Sequence, residues 1–419
     1  MRRLLVLLSI MFFTSSVQAQ HATFTLLKIV TPARLNTILG RERADFLPAG
    51  SRPKTYQWPQ TYPARYSVAL YRVQYPAVVP EWQNKPTSAS GLIAIPIEPG
   101  TAKMPVVCYQ HGTVYGKYEV PSYSFSRTNP SGFSQYAGSY ETRLMVAQYA
   151  GQGYVVEAAD YFGMGDSTLP EAYTVKGAGQ SACVGLYNAA QAFLAAKGIR
   201  QSQLFLAGWS AGGLVTTAFL EKLQSLGIHP AASFTASSPN DPFAGLNAWI
   251  YHPRKNEAIW ENTMLALTLF SYQHYYSRPG LAASVLNAKY YRRFRKLYDR
   301  DFHSQAELQR IFQSLVQPRV PLLAYLRKPY TNPAYFADSA YGKFLARSQS
   351  FRVMCQSPVR MYYGSDDEAI PVALGTLAAS YQRAMGSHAI HPVEVPGGTH
   401  RGTFLSAVSQ SLAWFNKFR

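Results

Sequence analysis

The sequence predicts an α/β fold with a mostly parallel sheet that is covered by helices on both faces. Short apolar segments alternate with longer helical patterns between about residues 105 and 240, and again from residue 359 onward. The apolar segments are largely uninterrupted by polar residues, which is typical of parallel strands buried on both faces. Strands that alternate with helices along a chain generally build such sheets.

Each element follows from its local pattern. Residues 66–73 and 91–97 are rich in β-forming side chains and predict an antiparallel hairpin at one edge of the sheet. Residues 21–60 combine helical and proline-rich pieces, and we expect them to wrap around the core. The other strands are predicted at 105–110, 154–159, 203–207, 231–236, 359–363 and 392–395, and the helices at 139–149, 177–197, 214–226, 372–385 and 403–415.

The strand–helix alternation stops near residue 240. Residues 241–350 are aromatic, basic and mostly helical in pattern, with one helix predicted at 305–316. We interpret this segment as a helical cap inserted between two parts of one α/β core, residues 20–240 and 351–419.

Residues 1–19 have the layout of a secretory signal peptide. A positive start, Met1-Arg2-Arg3, precedes an apolar run at 4–13, and 17–19 resemble a cleavage site. An uncleaved anchor is the weaker alternative, because a spanning helix needs roughly 20 apolar residues. We therefore expect a secreted or periplasmic mature protein.

The chain has 419 residues, is 47% hydrophobic and carries a formal net charge of +18. This composition fits a globular enzyme, and the charge favours anionic partners. The basic residues never alternate with aromatic residues as in a nucleic-acid groove, so no nucleic-acid partner is expected. The one dense basic cluster, 292–296, is interpreted as a solvated helix face or, alternatively, as a transient contact with an anionic membrane surface.

The three cysteines, Cys108, Cys183 and Cys355, do not have the spacing of a metal site, so no metal is expected. An oxidising compartment would allow one disulfide and one free thiol. Cys108 lies in an apolar strand pattern and is expected to be a small buried hydrophobic residue.

The strongest motif is Gly-x-Ser-x-Gly at 208–212, which lies between a predicted strand and a predicted helix. This setting predicts a sharp turn that holds Ser210 in a strained conformation as a nucleophile. Gly208 and Gly212 lack the Cβ atoms that would clash where strand and helix approach. The N–H of Ala211, at the helix start, is expected to face a developing oxyanion. The alternative is a tight turn without a catalytic role.

The loop at 110–113 follows the strand that precedes this region and is where a second oxyanion donor is expected. Gly112 lets the chain bend close to a substrate, and the N–H of Thr113 is the expected donor. His111 is interpreted as a structural residue, because in this order of elements the base follows the nucleophile.

A serine hydroxyl needs an adjacent base. His400 has the best setting of the nine histidines, in a glycine-rich loop between the last strand and the last helix. The chain order Ser…Asp…His is the one this topology uses.

The acid is expected after the strand at 359–363, where Asp366 and Asp367 compete. We favour Asp367, with Glu368 a third choice and Asp241 a further candidate. Its role would be to orient His400 and to stabilise the imidazolium.

These motifs resemble the α/β-hydrolase superfamily and, more loosely, its secretory lipase and esterase group. The matching segments are 110–113, 153–167, 208–213, 364–367 and His400. The resemblance implies an eight-stranded, mostly parallel sheet and a Ser210–His400–Asp367 triad. It also implies hydrolysis of small-molecule or lipid carboxylic esters without a cofactor. The segment 241–350 matches no known lipase lid.

Three rival functions stay open. A serine peptidase or an acyltransferase would use the same triad, and a binding protein on an inactive hydrolase scaffold would lack turnover. The sequence leaves the ester and the oligomeric state open.

Overall fold

The computed structural model describes residues 21–47, 49–51, 53–97, 102–126, 130, 140–300, 302, 304–316 and 320–419. The predicted signal peptide lies outside the described residues. The centre of the molecule is a nine-stranded sheet with the order β1-β2-β3-β5-β4-β6-β7-β8-β9. The strands are β1 (Thr23–Val30), β2 (Ser67–Val79), β3 (Lys85–Ile97), β4 (Lys103–Gln110), β5 (Val155–Ala159), β6 (Arg200–Trp209), β7 (Ala232–Ala236), β8 (Val359–Gly364) and β9 (Ile390–Val395).

The sheet is parallel from β5 to β9 and antiparallel from β1 to β5, so the predicted mostly parallel sheet is confirmed. It has nine strands among the described residues, one more than the resemblance implies. The extra strand is β1, which belongs to the segment expected to wrap the core. Only Val30 of this strand is fully buried, so its sequence lacks the apolar pattern of an inner strand. Because β1 pairs with β2, the predicted hairpin of β2 and β3 is not at the edge.

The helices lie on both faces of the sheet. Their bounds are α1 (Pro32–Phe46), α2 (Tyr140–Tyr149), α3 (Lys176–Ala196), α4 (Ala211–Ser225), α5 (Pro242–Tyr251), α6 (Met264–Tyr275), α7 (Leu281–Val285), α8 (Ala288–Asp299), α9 (Gln305–Val316), α10 (Pro333–Asp338), α11 (Ala340–Arg347), α12 (Val372–Gly375), α13 (Leu377–Ala384) and α14 (His400–Phe415). The single helix predicted at 372–385 is two short helices, α12 and α13, with Thr376 between them.

Two hydrophobic cores form because successive strand side chains point to opposite faces. In β4, Val106 and Cys108 face one core, whereas Val107 and Tyr109 face the other. The first core contains α3, α4 and the helices between β7 and β8, and the second contains α1, α2 and α14. The segment 241–350 therefore shares a continuous core with the sheet.

The basic cluster at 292–296 lies on α8. Phe294 of this helix is buried, while Arg292 and Arg293 are exposed. Arg295 pairs with Asp299, and Lys296 pairs with Glu307 of α9. The cluster thus lies on a solvent-exposed helix face.

All three cysteines are buried free thiols, including Cys108 on its predicted strand. In the part of the chain that the structure describes, no helix has both the length and the apolar character needed to cross a membrane.

Candidate active site

Ser210 occupies the turn between β6 and α4 with φ of 56° and ψ of −129°. A positive φ is unusual for a residue with a Cβ and marks strain that the surrounding structure must hold. The N–H of Ser210 donates to the carbonyl of Ala236 at 2.9 Å, which ties the turn to the end of β7. The strained serine therefore stands at the carboxyl edge of the parallel strands.

The glycines beside Ser210 allow an approach that no larger residue permits. A Cβ on Gly208 would overlap the Thr216 hydroxyl and the carbonyl of Gly212. A Cβ on Gly212 would overlap the backbone carbonyls of Gln110 and His111. The first turn of α4 is thereby pressed against the loop that follows β4.

Asp367 and His400 form a buried pair although they come from different loops. The Nδ1 of His400 lies 3.2 Å from Oδ1 and 3.3 Å from Oδ2 of Asp367. The Oδ1 atom also accepts the N–H groups of Ala369 at 2.9 Å and Ile370 at 2.8 Å. Asp366 is exposed, so the structure brings Asp367 and not its neighbour to the histidine.

The environment of Asp367 favours its charged form. Burial by itself would raise the pKa of this carboxyl, but the positive charge and hydrogen bond of His400 oppose that effect. The hydrogen bond from the Ile370 N–H acts in the same direction, so the pKa of Asp367 lies below its ordinary value. A carboxylate is thereby held ready beside Nδ1 of His400.

Trp209 links this pair to the strained serine. Its indole N–H donates to the carbonyl of His400 at 3.0 Å, and the two rings are 4.9 Å apart. Among the described residues neither the Ser210 hydroxyl nor Nε2 of His400 has a hydrogen-bond partner, so no direct bond joins the two side chains. Catalytic hydrogen bonds of enzymes without ligand are often long and tighten when substrate binds.

The loop after β4 lies opposite Ser210. Thr113 and Ser210 line one cavity, and the N–H of Thr113 has no acceptor among the residues that the structure describes. The Thr113 hydroxyl is 2.7 Å from that of Tyr173. Thr113 thus lies on the same cavity as Ser210, as predicted, and its N–H is free to donate to a bound group.

His111 is buried between backbone carbonyls. Its ring nitrogens lie 2.8 Å from the oxygen of Gly112 and 3.4 Å from that of Asp160, and its ring stacks on Tyr161. Burial lowers the pKa of His111 to about 4, so the ring is neutral at pH 7. The structure supports the interpretation of His111 as a structural residue.

Asp241, the further candidate acid, does not reach His400. Its side chain caps the start of α5 by accepting the N–H groups of Phe243 and Ala244. This is the ordinary role of aspartate at a helix N-terminus.

Two further carboxylates hold backbone groups of the site: Glu141, which sequence reasoning missed, and Glu368, the third choice for the acid. Glu141 of α2 accepts the Gly112 N–H with both oxygens at 3.0 Å, and burial raises the pKa of Glu141 to about 7. Glu368 accepts the N–H of His400 at 2.9 Å. No local motif points to Glu141, because it reaches the loop through packing of α2 on the sheet.

A cavity opens beside Ser210, and we call it the Ser210 cavity. Its walls are mainly apolar and include Leu246, Trp249, Trp260, Met264 and Ile370. The ring of Trp260 is 5.7 Å from that of His400. Four of these five residues come from the segment 241–350. Among the described residues no cluster of three potential metal ligands occurs.

Comparison with known proteins agrees with this architecture. The model of the Alpha/beta hydrolase family matches residues 111–414. A search of curated proteins gives no match.

Solved structures give the same fold at low identity. The ligand-bound rice cell wall degrading esterase LipA of Xanthomonas oryzae is 19% identical, with a TM-score of 0.77 over 95% of this chain and 98% of that one. A candidate hydrolase of Legionella pneumophila is 21% identical, with a TM-score of 0.76 over 94% and 97%. Candida antarctica lipase A in its closed state is 16% identical, with a TM-score of 0.62 over 84% and 77%. From the match over most of its length, the chain belongs to the alpha/beta hydrolase family.

Proposed function

We propose that the protein hydrolyses carboxylic esters through an acyl-enzyme on Ser210, with His400 as base and Asp367 as the orienting acid. The observation that carries this proposal is the buried Asp367–His400 pair, which Trp209 joins to a serine in a strained strand–helix turn. If the Asp367–His400 pair were only structural, the strained conformation of Ser210 would have no explanation. If the turn were only structural, the buried pair would have none.

In the first step the Ser210 oxygen attacks the ester carbonyl carbon while Nε2 of His400 takes the hydroxyl proton. Asp367 accepts the hydrogen bond from Nδ1–H and stabilises the imidazolium. The N–H groups of Ala211 and Thr113 bind the oxyanion, aided by the positive end of α4.

The tetrahedral intermediate then collapses to the acyl-enzyme, and His400 gives its proton to the leaving alcohol. Water repeats the sequence on the acyl group: His400 removes its proton, the carboxylic acid leaves and Ser210 regains its hydrogen. The two reaction steps consume only the ester and water, and they need no redox partner and no cofactor.

The apolar Ser210 cavity supports a small-molecule or lipid ester with an uncharged acyl group. The comparison structures include an esterase and a lipase, which favours ester over amide substrates. The predicted signal peptide favours a secreted or periplasmic site of action, which N-terminal sequencing of periplasmic and culture fractions would test.

The decisive experiment is turnover of p-nitrophenyl butyrate by wild type and Ser210→Ala. We expect a loss of at least ~10⁴-fold in kcat, together with loss of labelling by a fluorophosphonate probe. Ser225→Ala at the exposed end of α4 is the matched control and should keep both the turnover and the fluorophosphonate labelling of wild type. Retained turnover in Ser210→Ala would refute the proposal.

The same assay separates the rival functions. Faster product release when an alcohol competes with water would indicate an acyltransferase, and cleavage of p-nitroanilides at a comparable rate would indicate a peptidase. Absence of both turnover and labelling in the folded wild type would indicate a binding protein.

A further inference from the structure

A second apolar cavity adjoins the Ser210 cavity and shares part of its wall. We call it the inner cavity. Much of its wall is apolar, formed by Val114, Phe162, Met164, Val175, Val215 and Ala218. Its charged lining residues are paired elsewhere, Glu171 with Arg300 and Lys176 with Glu221. The inner cavity therefore has the character of a site for a hydrocarbon chain rather than for a polar group.

The two cavities share four lining residues, Thr113, Tyr173, Thr174 and Leu214. Thr113 is also the proposed oxyanion donor, so the shared wall begins where the ester carbonyl would bind. Tyr173 is the largest of the four side chains. An acyl chain that enters the Ser210 cavity would meet this side chain at its inner end.

Tyr173 is fixed in place by polar contacts. Its hydroxyl lies 2.7 Å from the Thr113 hydroxyl and 2.9 Å from the sulfur of Met264. Its N–H donates to the Ser271 hydroxyl at 2.9 Å. These contacts reach the loop after β4 on one side and helix α6 on the other, so the ring spans the boundary.

The backbone at this boundary is strained. Thr174 has φ of 54°, which is a rare conformation for a β-branched residue. Its hydroxyl is 3.0 Å from that of Tyr272 on α6, which helps to hold it there. Strain of this kind persists only where the surroundings impose it, and it concentrates at functional sites.

We propose that Tyr173 is a partition that ends the acyl-binding space at the Ser210 cavity and thereby sets an upper limit on acyl-chain length. This inference rests on the proposed function, since it assigns a specificity role at the same site. Wild type should process short-chain esters, with kcat/KM falling once the chain meets the Tyr173 ring. Removing the ring should join the inner cavity to the Ser210 cavity and admit longer chains.

The test compares p-nitrophenyl butyrate and p-nitrophenyl decanoate in wild type and Tyr173→Ala. Each further buried methylene group is worth about fourfold in binding. We expect the decanoate-to-butyrate ratio of kcat/KM to rise at least ~10-fold in the variant. Tyr173→Leu, which keeps apolar bulk in case the smaller residue does not fold, should give a smaller rise in the same direction.

Two controls isolate the ring. Tyr173→Phe keeps the ring and loses only the hydroxyl contacts, so the ratio should stay that of wild type. Tyr251→Ala removes a half-buried tyrosine that bonds to Tyr330 and lines neither cavity, and it should leave the ratio unchanged. An unchanged ratio in active Tyr173→Ala and Tyr173→Leu would overturn the partition while leaving ester hydrolysis intact.

A binding measurement decides the question without turnover. In a Ser210→Ala background, calorimetry should show that adding Tyr173→Ala tightens the binding of decanoate at least ~10-fold and changes that of butyrate far less. Equal decanoate affinities would overturn the partition. Failure of the proposed function would be recognised separately, by wild type that hydrolyses no ester.

Discussion

The turn around Ser210 and the segment 241–350 contribute to the same cavity in opposite ways. The turn supplies backbone: a strained serine, glycines without room for a Cβ, and N–H groups at a helix start. The segment supplies side chains, chiefly large apolar ones such as Trp260 and Met264. The proposed reacting groups thus rest on a part of the molecule with little conformational freedom, whereas the cavity walls are side chains, whose replacement we expect to be better tolerated.

This difference gives the two regions different sensitivities to mutation. A change in the turn forces backbone atoms to move, and backbone atoms of β4, β6 and α4 are shared with the sheet. A change in the wall removes or adds volume in a cavity that already holds free space. The following predictions test this contrast from the largest expected effect to the smallest.

Gly212→Ala should have the largest effect. Its Cβ would overlap two backbone carbonyls, so the loop after β4 must shift, with an expected loss of about 3 kcal/mol or more in unfolding free energy. Denaturant unfolding measures the loss of stability, and turnover of p-nitrophenyl butyrate measures the effect of the loop shift on activity.

Gly179→Ala is the matched control, because its Cβ would meet only methyl groups of Val215 at 3.6 and 3.7 Å. Gly179 lies in the first turn of α3, where an alanine should raise stability by up to about 0.5–1 kcal/mol. Equal losses of unfolding free energy in Gly212→Ala and Gly179→Ala would contradict the idea that the turn is the rigid region.

Asp367→Asn should lower kcat for p-nitrophenyl butyrate by about 10⁴-fold, because an amide no longer stabilises the imidazolium or fixes its tautomer. Asp366→Asn changes the exposed neighbour and should stay within twofold of wild type. A similar loss in both would mean that loop geometry, and not the contact with His400, carries the effect.

Trp260→Ala tests the wall. Loss of the ring beside His400 should lower kcat/KM about 3- to 10-fold while the melting temperature changes little. Trp58→Ala, at a 41% exposed position outside the cavity, should leave kcat/KM unchanged. A loss in Trp260→Ala as large as that in Asp367→Asn would show that the wall also takes part in the chemistry.

The smallest effect concerns the sheet away from the site. Burial raises the pKa of Glu157 in β5 to about 8, and one of its oxygens has no partner among the described residues. An unfolded glutamate titrates near 4.3, so the native state keeps a proton that the unfolded chain releases. Stability therefore falls as pH rises from about 4.3 to about 8.

Glu157→Gln removes that titration. Its melting temperature relative to wild type should rise by a few degrees between pH 5 and pH 9, measured by thermal unfolding. Glu394→Gln, on the exposed side of β9, should show no such trend. A difference in melting temperature between Glu157→Gln and wild type that stays constant from pH 5 to pH 9 would contradict the buried, protonated state of Glu157.

How much of this could be predicted from sequence depends on how local each feature is. The Ser210 turn could be predicted because strand, Gly-x-Ser-x-Gly motif and helix follow one another in one continuous segment. The choice of His400 could be predicted from the order of the elements along the chain. Strand β1 was missed because only Val30 of its side chains is fully buried, so its pairing with β2 leaves no apolar pattern.

Other features arise only when distant segments pack. Glu141 reaches the Gly112 N–H because α2 lies on the sheet, and Tyr173 meets Thr113 across two separate loops. Neither contact has a spacing that a sequence pattern could show. The choice of Asp367 over Asp366 lies between these cases, since the sequence places both residues in the expected loop and only the packed structure shows which side chain faces inward.

The bond from the Trp209 indole to the His400 carbonyl spans 191 residues. During synthesis the ribosome adds about 5–20 residues each second, so His400 leaves it roughly 10–40 s after Trp209. In that interval the nascent chain contains Ser210 but not its proposed base. The proposed nucleophile is therefore synthesised well before its proposed base, and the two can come together only when a much later part of the chain has docked.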